Sequence, residues 1–357
     1  MQLSKSQLFW IIFISEIVLL TYFALGPSLK QARQDIWISY LLAVSAAMFG
    51  TYLMIKLSLS YRSTTMVSFV QSIMGKWLGK LIALAYIGYW LLVTMIMLRG
   101  TVDFISTNLL YKTPIFVIVV LEIVIMLYFN LQGGITTIGR CSQVIGPLLF
   151  AAAFLPLTLN NNHLDFNQLL PIYQEGSRPV ISGALQVFCF VGETSAIMMI
   201  VSFMKDEGKA IGAIFQAIGF GAIWGLLMSI AVLALFGVTN AADMYHPQFM
   251  FMKTISILDF IQNFDLLITF FLQFGIMIKL AYHLFVSSYG IAELLTIRNW
   301  KISAWIMASL LLVTMMLTSK FNYEFLIQPW IFLIFNLALP GVLFLVHLVR
   351  RGLNNKK

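Results

Sequence analysis

The stretch Ile181–Phe203, ISGALQVFCFVGETSAIMMIVSF, decides how the rest of the chain is interpreted. It is apolar and long enough to cross a bilayer, since about 20 helical residues span the hydrocarbon core. Its middle nevertheless places the helix-weakening Gly192 beside the carboxylic acid Glu193. An acidic side chain at bilayer depth costs roughly 2.5–3.5 kcal/mol on insertion scales, so such residues usually face an interior cavity and mark function. The stretch therefore predicts a broken membrane helix beside a substrate-sized pocket.

The composition places the whole chain in a membrane. Of its 357 residues, 60% are hydrophobic and only 10% are charged, and the mean hydropathy is +0.91. A soluble domain of this length could not bury so much apolar surface, whereas continuous apolar runs of about 20 residues are typical of membrane helices. The sequence predicts an all-α polytopic membrane protein, a single integral membrane domain over residues 1–357 in contact with the lipid bilayer.

The residue patterns do not support nucleic-acid binding, a metal or cofactor site, or enzymatic catalysis. The net charge of +8 comes from Lys and Arg in loops and near the C-terminus, where the positive-inside rule explains it, so no nucleic-acid partner is predicted. Four histidines are scattered, at positions 163, 246, 283 and 347, and two cysteines lie inside apolar runs, so no metal site and no cofactor is predicted. The sequence has no phosphate-binding loop, catalytic triad or zinc motif, and we do not expect an enzyme.

Ten membrane spans can be placed along the chain. They lie near residues 7–27, 37–59, 81–107, 114–130, 134–159, 181–203, 210–238, 265–289, 302–319 and 328–349. An outer loop, residues 161–180, separates two halves of nearly equal length, 1–160 and 181–350, and residues 351–357 form a basic tail. Because each half has five spans, this arithmetic predicts a 5+5 inverted repeat in which span six corresponds to span one.

The basic residues orient the chain. With both termini on one side, fourteen Lys and Arg residues fall on that side and seven on the other, while Lys279 lies inside a span. Positive residues accumulate in cytoplasmic loops, so both termini are predicted to be cytoplasmic. On the same side, residues 64–80 predict an amphipathic helix lying in the membrane interface. Its apolar positions, at helical spacing, are Met66, Phe69, Val70, Ile73 and Trp77.

A break at Gly192 would create a binding site for a zwitterion such as an amino acid. The second half of the helix would begin near Thr194 or Ser195, which can cap a helix N-terminus, and its free N–H groups would attract a carboxylate. Carbonyl groups at the end of the first half would receive an ammonium group. Two other interpretations stay open: Gly192 serves packing, and Glu193 pairs with a neighbouring base or is protonated.

Other spans also carry polar residues at bilayer depth. Lys279 lies mid-way along span eight, where an unpaired lysine is costly, and it is predicted to be the counter-ion of Glu193 or to stand where other transporters hold a sodium ion. Glu16 in span one is a further candidate for an ion-pair or proton site. Tyr89 and Thr94 in span three are at the right depth for a pocket wall, although such stripes more often serve packing. Glu122 in span four and Arg140 at the start of span five are further candidates for internal ion pairs, and Asn336 in span ten is left open.

A series of short motifs runs along nearly the whole chain. They are Gln34-Asp35-Ile36-Trp37, MGKWLGK at 74–80, Leu170-Pro171-Ile172, Gly192-Glu193, Asp259-Phe260-Ile261 with Asp265, and Phe285-Val286-Ser287-Ser288-Tyr289-Gly290. In this order and spacing, from Gln7 to about Arg350, they resemble the B subunit of the Ger-type germinant receptors of endospore-forming bacteria. That family is similar to the amino acid–polyamine–organocation transporters. The resemblance implies about ten transmembrane helices in a LeuT-like 5+5 inverted repeat with a discontinuous sixth helix.

The resemblance also implies a function and a site. Such a subunit would lie in the spore inner membrane, bind a germinant such as an amino acid, sugar or nucleoside, and work with an A-type membrane subunit and a C-type lipoprotein subunit. The ligand-facing positions that it implies are Phe190, Gly192, Glu193, Thr194, Tyr89, Thr94, Val18 and Thr21. In span one, Val18-Leu19-Leu20 stand where the family has glycine and other small residues.

Three functions are compatible with this pocket. The first is a sensor in which germinant binding shifts the equilibrium between two arrangements of the helical halves and signals to the partner subunits to start germination. The second is a proton-coupled amino acid permease in which Glu193 or Lys279 exchanges the proton. The third is a non-transporting scaffold subunit with a vestigial pocket, which Val18-Leu19-Leu20 would permit. A sensor and a permease need the same pocket, so the sequence does not separate them.

Overall fold

The computed structural model describes residues 1–160, 164–244, 246–255, 264–317 and 328–354. His163 and the Asp259-Phe260-Ile261 motif lie outside these ranges. Within them the chain is almost entirely helical, and its one extended feature is a parallel bridge between Leu3 and Met204. The helices are α1 Lys5–Leu19, α2 Leu25–Ala32, α3 Ile36–Ser60, α4 Met66–Met74, α5 Lys76–Asn108, α6 Ile115–Gly133, α7 Ile135–Leu159, α8 Ser177–Val191, α9 Ile197–Ile200, α10 Ala210–Asp243, α11 Pro247–Lys253, α12 Phe264–Leu294, α13 Trp300–Leu317, α14 Pro329–Leu333 and α15 Leu339–Asn354.

Eight helical stretches in the described ranges are long and apolar enough to cross a membrane. The first, Lys5–Ser60, has 56 residues and would extend about 84 Å as a straight helix, far beyond a hydrocarbon core of about 30 Å. It turns back at Arg33, whose backbone leaves the helical region with φ 51° and ψ −130°, so α1–α2 and α3 are two separate crossings. Together with the shorter apolar helix α8, these stretches account for the ten predicted spans.

Span six is discontinuous, as the sequence predicts. Helix α8 ends at Val191, α9 begins at Ile197, and residues 192–196 between them are not helical. A Cβ atom added at Gly192 would lie 2.6 Å from the carbonyl oxygen of Phe188, so the backbone here approaches the preceding turn more closely than a side chain allows. The second half of the span is short, since α9 has four residues and continues only as a 3₁₀ turn, Val201–Phe203.

Spans one and ten stay helical but widen locally. Span one passes from α1 to α2 through a π-helical turn, Leu20–Ala24, and span ten passes from α14 to α15 through a second one, Ile334–Ala338. Such single π turns inside helices are frequent at functional sites. Span one therefore keeps its backbone hydrogen-bonded where span six opens.

The helix packing follows the inverted repeat. Span one (α1) packs along span seven (α10), and span six (α8) packs along span two (α3), which are equivalent pairs when the second five spans repeat the first five. Span one also packs against span five (α7), and span six against span ten (α14), a second equivalent pair. The two central spans of the repeat, one and six, thus occupy corresponding positions in the bundle.

The amphipathic segment before span three is shorter than predicted. Helix α4 ends at Met74, because Gly75 adopts a positive φ of 87°, and α5 begins at Lys76 rather than near residue 81. The apolar face of α4 is buried as expected, but Trp77 belongs to α5 and is 85% exposed. A glycine with positive φ ends a helix sharply, and this explains the difference.

A candidate ligand site at the break in span six

Glu193 lies on the non-helical segment of span six and is held by two basic side chains of α12. The Nζ atom of Lys279 donates a hydrogen bond of 2.9 Å to Glu193 Oε2, so the predicted pairing is present. His283 Nε2 lies 3.2 Å from the same oxygen, without the alignment of a hydrogen bond. Lys279 and His283 are four residues apart and therefore share one helix face. All three side chains are at most 1% exposed, so this is a fully buried ion pair.

One oxygen of this carboxylate is left without a donor. Glu193 Oε1 is buried and has no hydrogen-bond partner among the described residues. Buried polar atoms are hydrogen-bonded in the great majority of cases, and each exception calls for an explanation. A ligand N–H group placed at the break would supply the missing donor.

Glu16 places a second buried carboxyl group close to the ion pair. It lies in α1, is 2% exposed, and interacts electrostatically with both Lys279 and Glu193. Among the described residues, Lys279 pairs with Glu193 and not with Glu16. Because an unpaired carboxylate is costly in the membrane interior, Glu16 favours the protonated form unless a cation, such as a ligand ammonium group, lies beside it.

Asn336 in the second π turn holds the break from the other side. Its Oδ1 atom accepts hydrogen bonds from the backbone N–H groups of Thr194 (3.1 Å) and Ser195 (2.9 Å). Its Nδ2 atom donates to the Tyr89 hydroxyl (2.7 Å) and to the Phe332 carbonyl oxygen (3.0 Å). One amide side chain thereby connects spans three, six and ten.

This arrangement corrects two expectations. The N–H groups of Thr194 and Ser195, predicted to be free for a carboxylate, are occupied by Asn336. Neither residue caps the second half of the span, because α9 has Ala196 at its N-cap position and no side-chain cap. The reason is tertiary: a side chain from span ten satisfies the amides that a local cap would otherwise serve.

The hydroxyl groups on the break are also occupied. Thr194 Oγ1 and Thr51 Oγ1 of span two form a hydrogen bond of 2.8 Å. Ser195 Oγ accepts a hydrogen bond of 3.0 Å from Trp90 Nε1 of span three. Spans two, three, eight and ten thus all contact the non-helical segment, which fixes its shape.

The remaining predicted residues have other contacts. Phe190 stacks on Phe23 of the first π turn, with ring centroids 6.3 Å apart. Thr94 and Thr21 donate to carbonyl oxygens one turn earlier in their own helices, Trp90 and Ile17. Val18 is fully buried, and its Cγ1 atom would lie 2.8 Å from a Cβ atom added at Gly275 of α12. The structure therefore groups Gly192, Glu193, Thr194 and Tyr89 at the break, whereas Val18, Thr21 and Thr94 make contacts elsewhere.

The break is buried in this structure, since Glu193, Thr194 and Ser195 are at most 4% exposed. Two narrow spaces lie beside the first π turn, and neither is lined by Glu193. The wider one, next to Tyr22 and His246, holds at most about one water molecule. Burial lowers the pKa of the His246 imidazole to about 4, so this ring is neutral at physiological pH. Neither of these two spaces is the substrate-sized pocket that the sequence predicts beside Glu193, where Lys279 and His283 lie within 3.2 Å of the carboxylate.

The described residues contain no group of three or more His, Cys, Asp or Glu side chains arranged to hold a metal ion. The chemistry available at the break is that of charges and hydrogen bonds. Such a site can bind, orient and exchange protons with a small polar molecule.

Comparison with known proteins identifies the family of this chain. A model of the family described as "Spore germination protein" matches residues 2–323. The chain belongs to this spore germination protein family. This member is 24% identical to spore germination protein KB of Bacillus subtilis (strain 168), over 95% of each chain. It is 26% identical to spore germination protein YndE of the same organism, where the match spans 62% of this chain and 61% of YndE.

Solved structures show that the spore germination protein has a transporter fold. Mhp1, a nucleobase-cation-symport-1 family transporter in a closed conformation with bromovinylhydantoin bound, superimposes with a TM-score of 0.64 at 16% sequence identity. The superposition covers 96% of this chain and 77% of Mhp1. The fold is therefore LeuT-like, and the chain is an integral membrane protein of the spore germination protein family.

Proposed function

We propose that this chain is the germinant-sensing membrane subunit of a spore germination receptor, and that it binds an amino acid-like nutrient at the break in span six. The observation that carries the proposal is the buried Glu193 Oε1 atom, which has no donor although Oε2 is paired with Lys279. An oxygen of this kind at mid-membrane in a transporter fold suits a ligand ammonium group. The nearby buried Glu16 carboxyl group would release its proton to balance the charge of such a ligand.

A zwitterion could use both members of the ion pair. Its ammonium group would donate to Glu193 Oε1, and its carboxylate would compete with Glu193 for Lys279. The N–H groups of Thr194 and Ser195 would join only if Asn336 moved away, since its Oδ1 atom accepts from both. Because the break is buried here, a ligand reaches it only through a second arrangement of the helices, and a ligand that prefers that arrangement shifts the equilibrium. That shift would be the signal passed to partner subunits.

We further propose the setting implied by the family. The chain would lie in the spore inner membrane with both termini cytoplasmic, in line with the two-to-one bias of its Lys and Arg residues. It would assemble with an A-type membrane subunit and a C-type lipoprotein subunit, and act as a binding subunit rather than an enzyme. Reading frames for A- and C-type subunits next to its own gene would support this assembly.

A proton-coupled amino acid permease is the second candidate function. The observation that favours it is the cluster of Glu193, Lys279, His283 and Glu16, because buried ionisable groups inside membrane bundles often form proton relays. Counterflow of labelled amino acids in proteoliposomes separates the two functions. Saturable exchange would favour the permease, and its absence alongside measurable binding would favour the sensor. A scaffold with a vestigial pocket would show neither.

Equilibrium binding of labelled amino acids to the purified protein in lipid nanodiscs tests the proposed site. We expect saturable binding of at least one amino acid, and loss of that binding when the amino group of the same compound is acetylated. Acetylation removes the ammonium charge but leaves the side chain unchanged, so it is the matched control. Equal binding of the acetylated compound, or no binding across the panel, would contradict the proposed site.

A further inference from the structure

A second buried carboxyl group lies apart from the break. Glu122 is in the middle of span four (α6), 1% exposed, and its described partner is Gln273 of span eight, whose Nε2 atom donates a hydrogen bond of 2.7 Å to Glu122 Oε1. No Lys, Arg or His among the described residues forms an ion pair with it. The predicted internal ion pair of Glu122 is therefore replaced by a carboxyl–amide contact.

A carboxylate in this position would carry an unbalanced charge. Burying an ionised carboxyl group without a counter-charge is far more costly than burying its neutral form, and inside a bilayer no bulk water is present to compensate. One neutral amide does not balance a full negative charge. The surroundings of Glu122 therefore favour the carboxylic acid.

The hydrogen-bond pattern leads to the same conclusion independently. Two acceptor atoms of the pair, Glu122 Oε2 and Gln273 Oε1, are buried and have no donor among the described residues. A protonated carboxyl group has one O–H donor, and an amide next to it has one carbonyl acceptor. A single proton on Glu122 Oε2 that points to Gln273 Oε1 would satisfy both atoms and close a carboxylic acid–amide pair with two parallel hydrogen bonds.

We propose that Glu122 is a proton-binding site, a carboxylic acid held by Gln273 between spans four and eight. Tyr22 of the first π turn lies within electrostatic reach of Glu122, and its buried hydroxyl likewise has no hydrogen-bond partner among the described residues. Thr269, one turn before Gln273, has an unpartnered buried hydroxyl as well. Of the charged groups on the helices packed against α6, Arg99 and Asp103 of α5 pair with each other, and Lys279 of α12 pairs with Glu193.

The surroundings also suggest how the proton would exchange. Tyr22 lines the narrow space that His246, Phe104 and Leu272 enclose beside the first π turn, and Leu272 precedes Gln273 in the chain. Water that entered a widened form of this space would reach the Tyr22 hydroxyl first. The site would then hold its proton while the space is closed and exchange it when the space opens. This inference does not depend on a ligand at Glu193.

Infrared spectroscopy of the full-length protein in lipid tests the proposal. We expect the carbonyl band of a protonated carboxylic acid at neutral pH, with a small shift in heavy water, and loss of that component in Glu122→Gln. Glu122→Gln keeps a neutral group of the same shape and should fold, whereas Glu193→Gln is the control that leaves the component in place. In Gln273→Leu the band should move to higher frequency, because the carbonyl loses its N–H donor.

The outcomes that would overturn the proposal are equally definite. An unchanged carboxylic acid carbonyl band in Glu122→Gln, together with loss of a carboxylate band, would show that Glu122 is ionised. A carboxylate band that shifts with sodium or potassium concentration would show that a metal cation occupies the site instead of a proton. If Glu122→Gln did not fold, the absence of a band shift in Gln273→Leu would refute the acid–amide pair on its own.

Discussion

Glu193 and Lys279 are the residues on which the site depends, and each compensates the charge of the other. Removing one partner of a buried ion pair leaves an uncompensated charge, at a cost of about 3–5 kcal/mol, whereas replacing both by neutral groups is often nearly neutral. We expect Glu193→Gln and Lys279→Met each to lower the thermal unfolding midpoint in detergent, and the double variant to recover most of the loss. Stability losses that simply add in the double variant would show that the two residues are not coupled.

Asn336 provides a second prediction at this scale. Asn336→Ala leaves the buried N–H groups of Thr194 and Ser195 without an acceptor, and each unsatisfied group costs about 1–3 kcal/mol. We expect a clear decrease in the thermal unfolding midpoint. The matched control is Asn240→Ala, since that exposed asparagine donates only to the carbonyl oxygen of Phe236 in its own helix. Equal midpoints for the two variants would contradict the role given to Asn336.

The sequence contains part of this residue-level information. Charged residues at bilayer depth are costly, so Glu193 and Lys279 could be identified from their positions, and their pairing followed from opposite charge. His283 was missed because it was treated as one of four scattered histidines, although its spacing of four residues from Lys279 is a signal for a shared helix face. The role of Asn336 depends on which span packs against the break, and no local sequence pattern predicts that packing.

At the scale of elements, the turn between spans one and two has a backbone that favours glycine. Arg33 has a φ of 51°, which costs roughly 1 kcal/mol or more for a residue with a side chain. We expect Arg33→Gly to unfold at a higher temperature than Arg33→Ala; both variants lose the same exposed ion pair with Glu175. At Lys30, inside α2, the order should reverse, because glycine is about 1 kcal/mol less favourable than alanine in a helix. If the Gly and Ala variants had the same order of unfolding temperatures at both positions, the result would contradict a positive φ at Arg33.

The boundaries of the helices could be predicted only in part from the sequence. The break in span six was predictable because Gly192 stands beside a charge in an otherwise apolar run. The π turns of spans one and ten were not predicted, since a widened turn retains helical periodicity and changes only the hydrogen-bond spacing. The end of α4 at Gly75 was also missed, because the apolar spacing continues through Trp77 although the helix does not.

At the scale of the whole molecule, ten spans and their division into two halves follow from hydropathy and loop length. The inverted repeat itself becomes visible only in the packing, where span one lies on span seven as span six lies on span two. Side-chain identities differ between the halves, so self-similarity in the sequence is weak while the arrangement of the helices is retained. The burial of the break likewise depends on how the spans assemble.

The central claim at this scale is that nutrient binding at the break starts germination. The most direct test is the germination response of spores that carry Glu193→Gln together with Lys279→Met. Loss of charged hydrogen bonds, each worth about 1.5–3 kcal/mol, should raise the nutrient concentration for half-maximal response about ten- to hundredfold or abolish the response, at a normal protein level. Spores with Arg99→Gln and Asp103→Asn, which remove a different ion pair, should respond like the wild type. A normal response from the Glu193 and Lys279 double variant would contradict the claim.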